Sequence, residues 1–294
     1  MANPPTDKVK KRVDWLFWFG VAIVATVSFL AVFGAAIAPY DPTLATVRVS
    51  VPPPALSQWP GLIWQNLTGQ LEQPPHWFGT DAIGFDLFSR VISAPRIDLT
   101  IALAANGLSL VLGIFLGLLA GYFRNFMTET LMRVSDVLQS FPVFISAMIL
   151  VSLAGRSTEN IVIALAMLYT PIYIRLTRAE VMSQRVRGYV EAARALGNPE
   201  LVVALRHVLP NSLAPALIQS SVTIGFAILL TAGLSFVGAG VRPPAPEWGL
   251  MISSGANQIV LGEWWPSVFP GIAISLTVFG FAVLGNALER RYDS

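Results

Sequence analysis

The sequence has no cysteine, only two histidines, little charge of either sign, and three lysines that all fall within its first 11 residues. Each shortage excludes a class of chemistry. Without cysteine there is no disulfide frame, no thiolate nucleophile and no cysteine-ligated metal or iron–sulfur centre. A phosphate-binding Gly-x-x-x-x-Gly-Lys-Ser/Thr loop needs a lysine, and none lies beyond Lys11, so this chain has no such loop. His76 and His207 are far apart in the chain and fall on opposite sides of the membrane in the topology set by charge, which excludes a histidine-based metal site. Charged residues make up 12% of the chain, half the share of an ordinary soluble domain. The formal net charge of +2 is too small to point to nucleic acid.

What remains is apolar: 54% hydrophobic residues and a mean hydropathy of +0.63. About 20 apolar residues cross a hydrocarbon core of roughly 30 Å. Charge-free windows occur at 15–38, 99–123, 137–155, 160–174, 209–241 and 264–288. The fourth is short and contains Pro171; it spans only if it extends through Leu176 and Thr177 while Arg175 snorkels. Six crossings are therefore expected, in an all-α polytopic membrane protein. With the N-terminus inside, only Arg48, Arg90, Arg96, Arg156 and Arg242 lie outside, and the other 14 of the 19 Lys and Arg residues lie inside. That bias places both termini in the cytoplasm. Lys10-Lys11-Arg12 followed by an apolar run and Ala36-Ile37-Ala38 has the outline of a signal peptide. The run is longer than a signal core of about 7–15 residues, so an uncleaved anchor is expected.

Residues 1–98 divide into an inner tail, the first span and an outer loop rich in proline (Pro52-Pro53-Pro54, Pro60, Pro74-Pro75) and tryptophan (Trp59, Trp64, Trp77). Such proline density opposes long helices, and the tryptophans fit a segment lying along the membrane interface. An ordinary surface loop and a docking surface both remain open. Residues 99–294 form a core of five spans. Gly113-x-x-x-Gly117 and Gly117-x-x-x-Gly121 in its first span are spacings for close helix packing. Ionisable groups are missing from the span windows, whereas ion-coupled carriers keep Asp, Glu or His at membrane depth. Gln219, Ser220, Ser221 and Thr223 are the candidate pathway-lining polar residues, although helix-packing hydrogen bonds explain them more readily.

The longest inside segment, about 178–212, reads as two short helices with a sharp break. Glu191 to Leu196 is a run of helix formers, and Gly197 stands where a left-handed residue ends a helix. Asn198 is placed to cap the next helix, with Pro199 in its first position and Glu200 complementing its dipole. Pro210 must stop or bend that helix. On local chemistry alone, an ordinary linker of two amphipathic turns fits equally well.

Glu191-Ala192-Ala193, Gly197 after three residues, and Leu209-Pro210 after eleven more resemble the EAA loop of binding-protein-dependent ABC importer permeases. Arg206-His207-Val208-Leu209-Pro210-Asn211 resembles the dipeptide/oligopeptide/nickel branch, in its "C" subunit. Further similarities to that branch lie in Gly79-Thr80-Asp81-Ala82-Ile83-Gly84-Phe85-Asp86, Gly121-Tyr122-Phe123, Phe141-Pro142, Leu234-Ser235-Phe236-Val237-Gly238 and Trp248-Gly249-Leu250-Met251. The sequence departs from the branch at Phe85, where Arg is usual, and at Asn198-Pro199, where Ala-Ser is usual.

The resemblance implies a type I importer fold in the bacterial inner membrane, surrounded by membrane lipid, with no nucleic acid involved. It implies a homologous second permease, two ATP-binding subunits and an extracytoplasmic solute-binding protein, with peptides as cargo. ATP and Mg would sit on the ATP-binding subunits, leaving this chain with no cofactor and no catalytic residues. Glu191, Ala192, Ala193, Gly197, Leu209 and Pro210 would carry the coupling to the ATPase. The alternative is an ion-coupled secondary transporter.

Overall fold

The computed structural model describes residues 6–123 and 125–292, almost wholly helical. Helix α1 (Thr6–Ile37) leads to an outer segment containing only one short helix, α2 (Trp59–Leu67). Asp86 then caps α3 (Leu87–Ser93) by accepting from the Ser89 N–H at 2.8 Å. α3 runs through Ala94 into α4 (Pro95–Tyr122), and the two form one long apolar crossing, Leu87–Tyr122. α5 (Phe126–Ser140) is closed at its start by an Asn125–Thr128 capping box and is followed by α6 (Val143–Ala154). α7 (Thr158–Gln184), α8 (Gly188–Ala195), α9 (Glu200–Val202), α10 (Ala214–Phe236), α11 (Trp248–Ala256) and α12 (Trp265–Tyr292) complete the chain.

Close helix packing sets the arrangement. A Cβ placed on Gly113 would lie 2.2 Å from the Tyr173 Cβ, on Gly117 2.7 Å from the Thr177 Cβ, and on Gly121 2.8 Å from the Val181 Cβ. The three small residues thus let α4 lie against α7 with no gap, which is the packing expected of those spacings. The contacts climb together in steps of four on both helices, so α4 and α7 run parallel. The chain must therefore cross back between them, and only α5 and α6 are available to do it.

That crossing differs from the expected third span. The window 137–155 is broken at Phe141-Pro142, where α5 and α6 meet at 95°. Phe141 is extended (φ −96°, ψ 146°), because the residue before a proline is driven out of the helical region. α6 alone is 12 residues, about 18 Å long, too short for the hydrocarbon core. Among the described residues, five helices are long and apolar enough to cross alone, and the bent pair is long and apolar enough to make a sixth. The fourth span, expected to be the short one, is instead 27 continuous residues with Pro171 buried inside it. The fifth starts at Ala214 rather than Leu209, and the sixth continues beyond Leu288 to Tyr292.

On the outer face, residues 39–86 are tied to the ends of the spans. The Trp265 Nε1–H donates to Thr80 O at 2.9 Å, and the Trp248 Nε1–H donates to Val91 O at 3.0 Å. Buried Arg90 donates to Pro42 O at 3.0 Å and to Ala245 O at 3.2 Å, with its guanidinium over the Phe85 ring. One ionisable pair escapes the window count: Asp98, in the first turn of α4, is fully enclosed with Glu247, the cap of α11. Glu247 accepts from the N–H groups of Gly249 at 2.9 Å and Leu250 at 2.7 Å, and burial pushes its carboxyl up from the ordinary range. Asp98 stands one residue before the charge-free window, and only the helix boundary at Pro95 places it inside the crossing.

Candidate functional site

At the inner ends of α4 and α7 a small separate core forms. It contains Leu118 and Tyr122 from α4, Val181 from α7, Val190 and Ala193 from α8, and Val203, Ala204 and Val208 from the following turns. Val190, Ala193, Val203, Ala204 and Val208 turn inward, so the segment folds down onto the helix ends rather than trailing as a linker. The Arg185 Nη1–H groups donate to Gly121 O at 3.2 Å and Tyr122 O at 2.9 Å, satisfying the last carbonyls of α4.

α8 ends as the residue types suggest. Gly197 has φ +81°, and its N–H donates to Arg194 O at 2.9 Å. Asn198 does not cap the next helix. Its Nδ2–H donates back to Ala193 O at 2.8 Å, closing the C-terminus of α8, and Pro199 takes the cap position (φ −59°, ψ 143°) with Glu200 first in α9. A proline fixed at that φ with an extended ψ supplies the entry geometry without a side-chain cap.

Pro210 reshapes the turn that precedes it. Val203–Val208 is a π-helical turn, with the Leu209 N–H reaching five residues back to Ala204 O at 2.8 Å. Proline has no N–H to give to the carbonyl four residues behind it, and its ring crowds that carbonyl, so the register widens before it. Side chains take up part of the slack: Asn211 Nδ2–H donates to His207 O at 2.8 Å, and the Ser212 hydroxyl donates to Val208 O at 2.9 Å.

The six expected coupling residues divide by exposure. Ala193 and Leu209 pack inward, whereas Glu191, Ala192, Gly197 and Pro210 face out. Sequence reasoning did not find the exposed apolar side chains of the same segment, Val186, Leu196 (84% exposed), Leu201 and Leu205. Val186 precedes α8, Leu196 follows it, Leu201 lies in α9 and Leu205 in the next turn, interleaved with the buried Val190, Ala193, Val203, Ala204 and Val208.

A polar brace fastens this segment to α4. The Tyr122 hydroxyl donates to a Glu200 carboxylate oxygen; Arg194 donates to the other oxygen at 3.1 Å and to the Tyr122 hydroxyl at 3.2 Å. These groups, with Phe123, Asn125 and Arg185, line a cavity of about 560 Å³. The Tyr122 hydrogen bond, then Arg194, holds the Glu200 carboxyl below its ordinary range. Tyr122, Arg194 and Glu200 were legible only as ordinary helix residues.

The four candidate pathway residues also separate. Gln219 and Thr223 line a second cavity of about 560 Å³ between α6, α7 and α10, walled by Phe144, Tyr169, Phe226 and Leu230. Ser220 instead accepts from the Asn106 amide of α4 at 2.6 Å, and Asn106 in turn accepts from Tyr173 of α7 at 2.5 Å. Ser221 donates to Phe281 O of α12 at 2.8 Å. Ser220 and Ser221 join helices, whereas Gln219 faces the cavity and donates to the hydroxyl of the buried Thr223 at 3.4 Å.

Comparison with known proteins agrees with this architecture. The family described as binding-protein-dependent transport system inner membrane component matches residues 113–294. The di/tripeptide transport system permease protein DppC of Pseudomonas aeruginosa (strain UCBPP-PA14) is 37% identical over 274 residues, 93% of this chain and 86% of its own. The dipeptide transport system permease protein DppC of Alkalihalophilus pseudofirmus is 37% identical over 230 residues, covering 78% of this chain and 75% of its own. The glutathione transport system permease protein GsiD of Pectobacterium atrosepticum is 36% identical over 218 residues, 74% of this chain and 72% of its own. A crystal structure of an amino acid ABC transporter with histidines shares the fold, with a TM-score of 0.53 at 17% identity over 69% of this chain and 94% of that one.

Proposed function

The chain belongs to the family of binding-protein-dependent transport system inner membrane components, a multi-pass permease subunit of the C type, and from that premise we propose that it forms half the translocation pathway of an ATP-driven peptide importer. The loop between α7 and α10 is the part that couples to separate ATP-binding subunits. The observation that carries this reading is the set of exposed apolar side chains Val186, Leu196, Leu201 and Leu205 on a segment whose buried side packs on the ends of α4 and α7. An apolar surface of that kind on an inner loop suits a second protein, and its rigid footing suits the transmission of movement.

In this scheme the partners are a homologous second permease, two ATP-binding subunits and an extracytoplasmic solute-binding protein. ATP and Mg belong to the ATP-binding subunits, and this chain performs no covalent chemistry. Residues 1–98 add a span and an outer loop to a core formed by residues 99–294. Peptide cargo is supported by the relatives, whose names specify di- and tripeptides and glutathione. An ion-coupled carrier is the weaker reading. The enclosed Asp98–Glu247 pair lies at the outer end of α4, and the hydrogen bonds of its members run to α11 backbone rather than to a chain of ionisable groups across the bilayer.

Reconstitution tests the reading. Proteoliposomes holding this chain, its second permease, the ATP-binding subunits and the solute-binding protein should take up dipeptide only with ATP inside. Ion-gradient-driven uptake by the chain without those subunits would overturn it.

A further inference from the structure

Helix α2 has no structural partner on one side. Leu56 in the tight turn just before α2, and Pro60, Ile63, Trp64 and Leu67 within it, recur at i, i+4, i+7, i+8 and i+11, the spacing of a single helical stripe. The structure turns that stripe outward: Leu56 and Leu67 are 78% exposed, Trp64 67% and Ile63 44%. The inward side rests on Trp59, whose ring meets Trp77 edge-on at 5.6 Å and whose Nε1–H donates to Pro54 O at 3.2 Å. An outward apolar stripe on so short a helix is not stable in water and needs a medium or a partner.

Two observations identify the occupant. No charged residue lies between Arg48 and Glu72, whereas contacts with a soluble partner keep a polar, charged rim. The helix is also rooted where a span leaves the bilayer. Next to Trp77, the Phe78 ring stacks on Phe269 of α12 at 4.1 Å, and Thr80 O accepts from Trp265, the first residue of α12. The helix is thus anchored, through Trp77 and Phe78, beside the start of α12, at the level where tryptophan partitions.

We propose that α2 lies in the plane of the outer leaflet, its Leu56–Leu67 stripe sunk at the boundary between headgroups and acyl chains. The lipid surface then holds the long outer loop flat beside the entrance instead of leaving it free. An in-plane helix of this kind buries its apolar face about 5–10 Å deep and keeps its polar face in water. Gln65 lies on that polar face and is exposed.

The cysteine-free chain allows a direct test in the assembled transporter in lipid nanodiscs. Single cysteines are introduced as Ile63→Cys, Leu67→Cys and Gln65→Cys, with Phe29→Cys on the lipid side of α1 as the hydrocarbon reference. Each is nitroxide-labelled, and its collisions with oxygen and with a water-soluble nickel chelate are measured. The expected result is an oxygen-to-nickel ratio at positions 63 and 67 several-fold above that at 65, and below that at 29. Ratios at 63 and 67 equal to that at 65 would place the stripe in water and overturn the proposal. Protection of 63 and 67 from both reagents would also overturn it, showing that protein covers the stripe. Peptide uptake is measured on the same preparations, so failure of the lipid assignment is separable from failure of the transport reading.

Discussion

Tyr122, the last residue of α4, donates its hydroxyl to Glu200, the first residue of α9. This bond ties a membrane crossing to the inner-face loop, and Arg194 closes the triangle from α8. Movement of the α8–α9 break relative to α4 must strain or open it.

The brace makes the loop sensitive to acid. Glu200 is held below its ordinary pKa in the folded chain, so the stability it contributes is present above the ordinary carboxylate range. It is lost as pH falls through the depressed value. Amide protection factors in residues 188–208, which remove the intrinsic slowing of exchange in acid, should fall on acidification. Glu200→Gln should already exchange faster at neutral pH and lack most of that acid step. Equal acid steps in both proteins would remove Glu200 as the source.

Gly197 tests the coupling role. Its φ of +81° strains any β-branched residue by about 1–2 kcal/mol, and the site is open, with nothing within 4 Å of an added Cβ. The strain in Gly197→Val can be relieved only by re-aiming α9, so uptake and substrate-stimulated ATP hydrolysis by the assembled transporter should fall together while membrane abundance stays near normal. Gly197→Asn should be milder, because Asn tolerates the left-handed region. Normal uptake by Gly197→Val would reduce the loop to a linker.

The α4–α7 contact predicts the opposite pattern. Gly117→Leu would drive a side chain into Thr177 and the Ile174 carbonyl, 2.7 and 2.8 Å from the Cβ position, an overpacking cost of about 1–3 kcal/mol or more. Membrane abundance and thermal stability in detergent should drop sharply. Gly107→Leu, on the same helix with no atom within 4 Å, should leave both nearly unchanged.

Whether the bent pair completes a crossing is decided by labelling. With six crossings, a cysteine at Ser57 reacts with an impermeant maleimide in intact cells, and one at Ser183 reacts only after lysis. Were α5 and α6 to return to the side they left, both positions would label in intact cells.

Gln219→Ala should lower peptide uptake per assembled transporter, since Gln219 faces the cavity between α6, α7 and α10. Ser221→Ala should instead lower stability by about 0.6 kcal/mol and leave uptake per molecule unchanged, because its hydroxyl is spent on Phe281 O. Identical uptake defects in the two variants would dissolve the distinction.

Charge and spacing alone carried the long apolar spans, the small-residue packing of α4 and the left-handed Gly197. Each depends on the side chain's own transfer energy or backbone freedom, quantities that belong to a residue before it has neighbours. Which side of α10 faces open space, how Asn198 bonds, where the third crossing bends, and that Tyr122 meets Glu200 were decided only by tertiary structure. Asn198 had two carbonyl or cap positions within reach, and the packing of Val190 and Ala193 onto α4 and α7 selected one. Gln219 and Ser221 are the same kind of polar residue two positions apart, and α12 engages one and not the other. Such choices rest on the small difference between two hydrogen-bonded arrangements, which local sequence leaves nearly balanced and the neighbouring helices resolve.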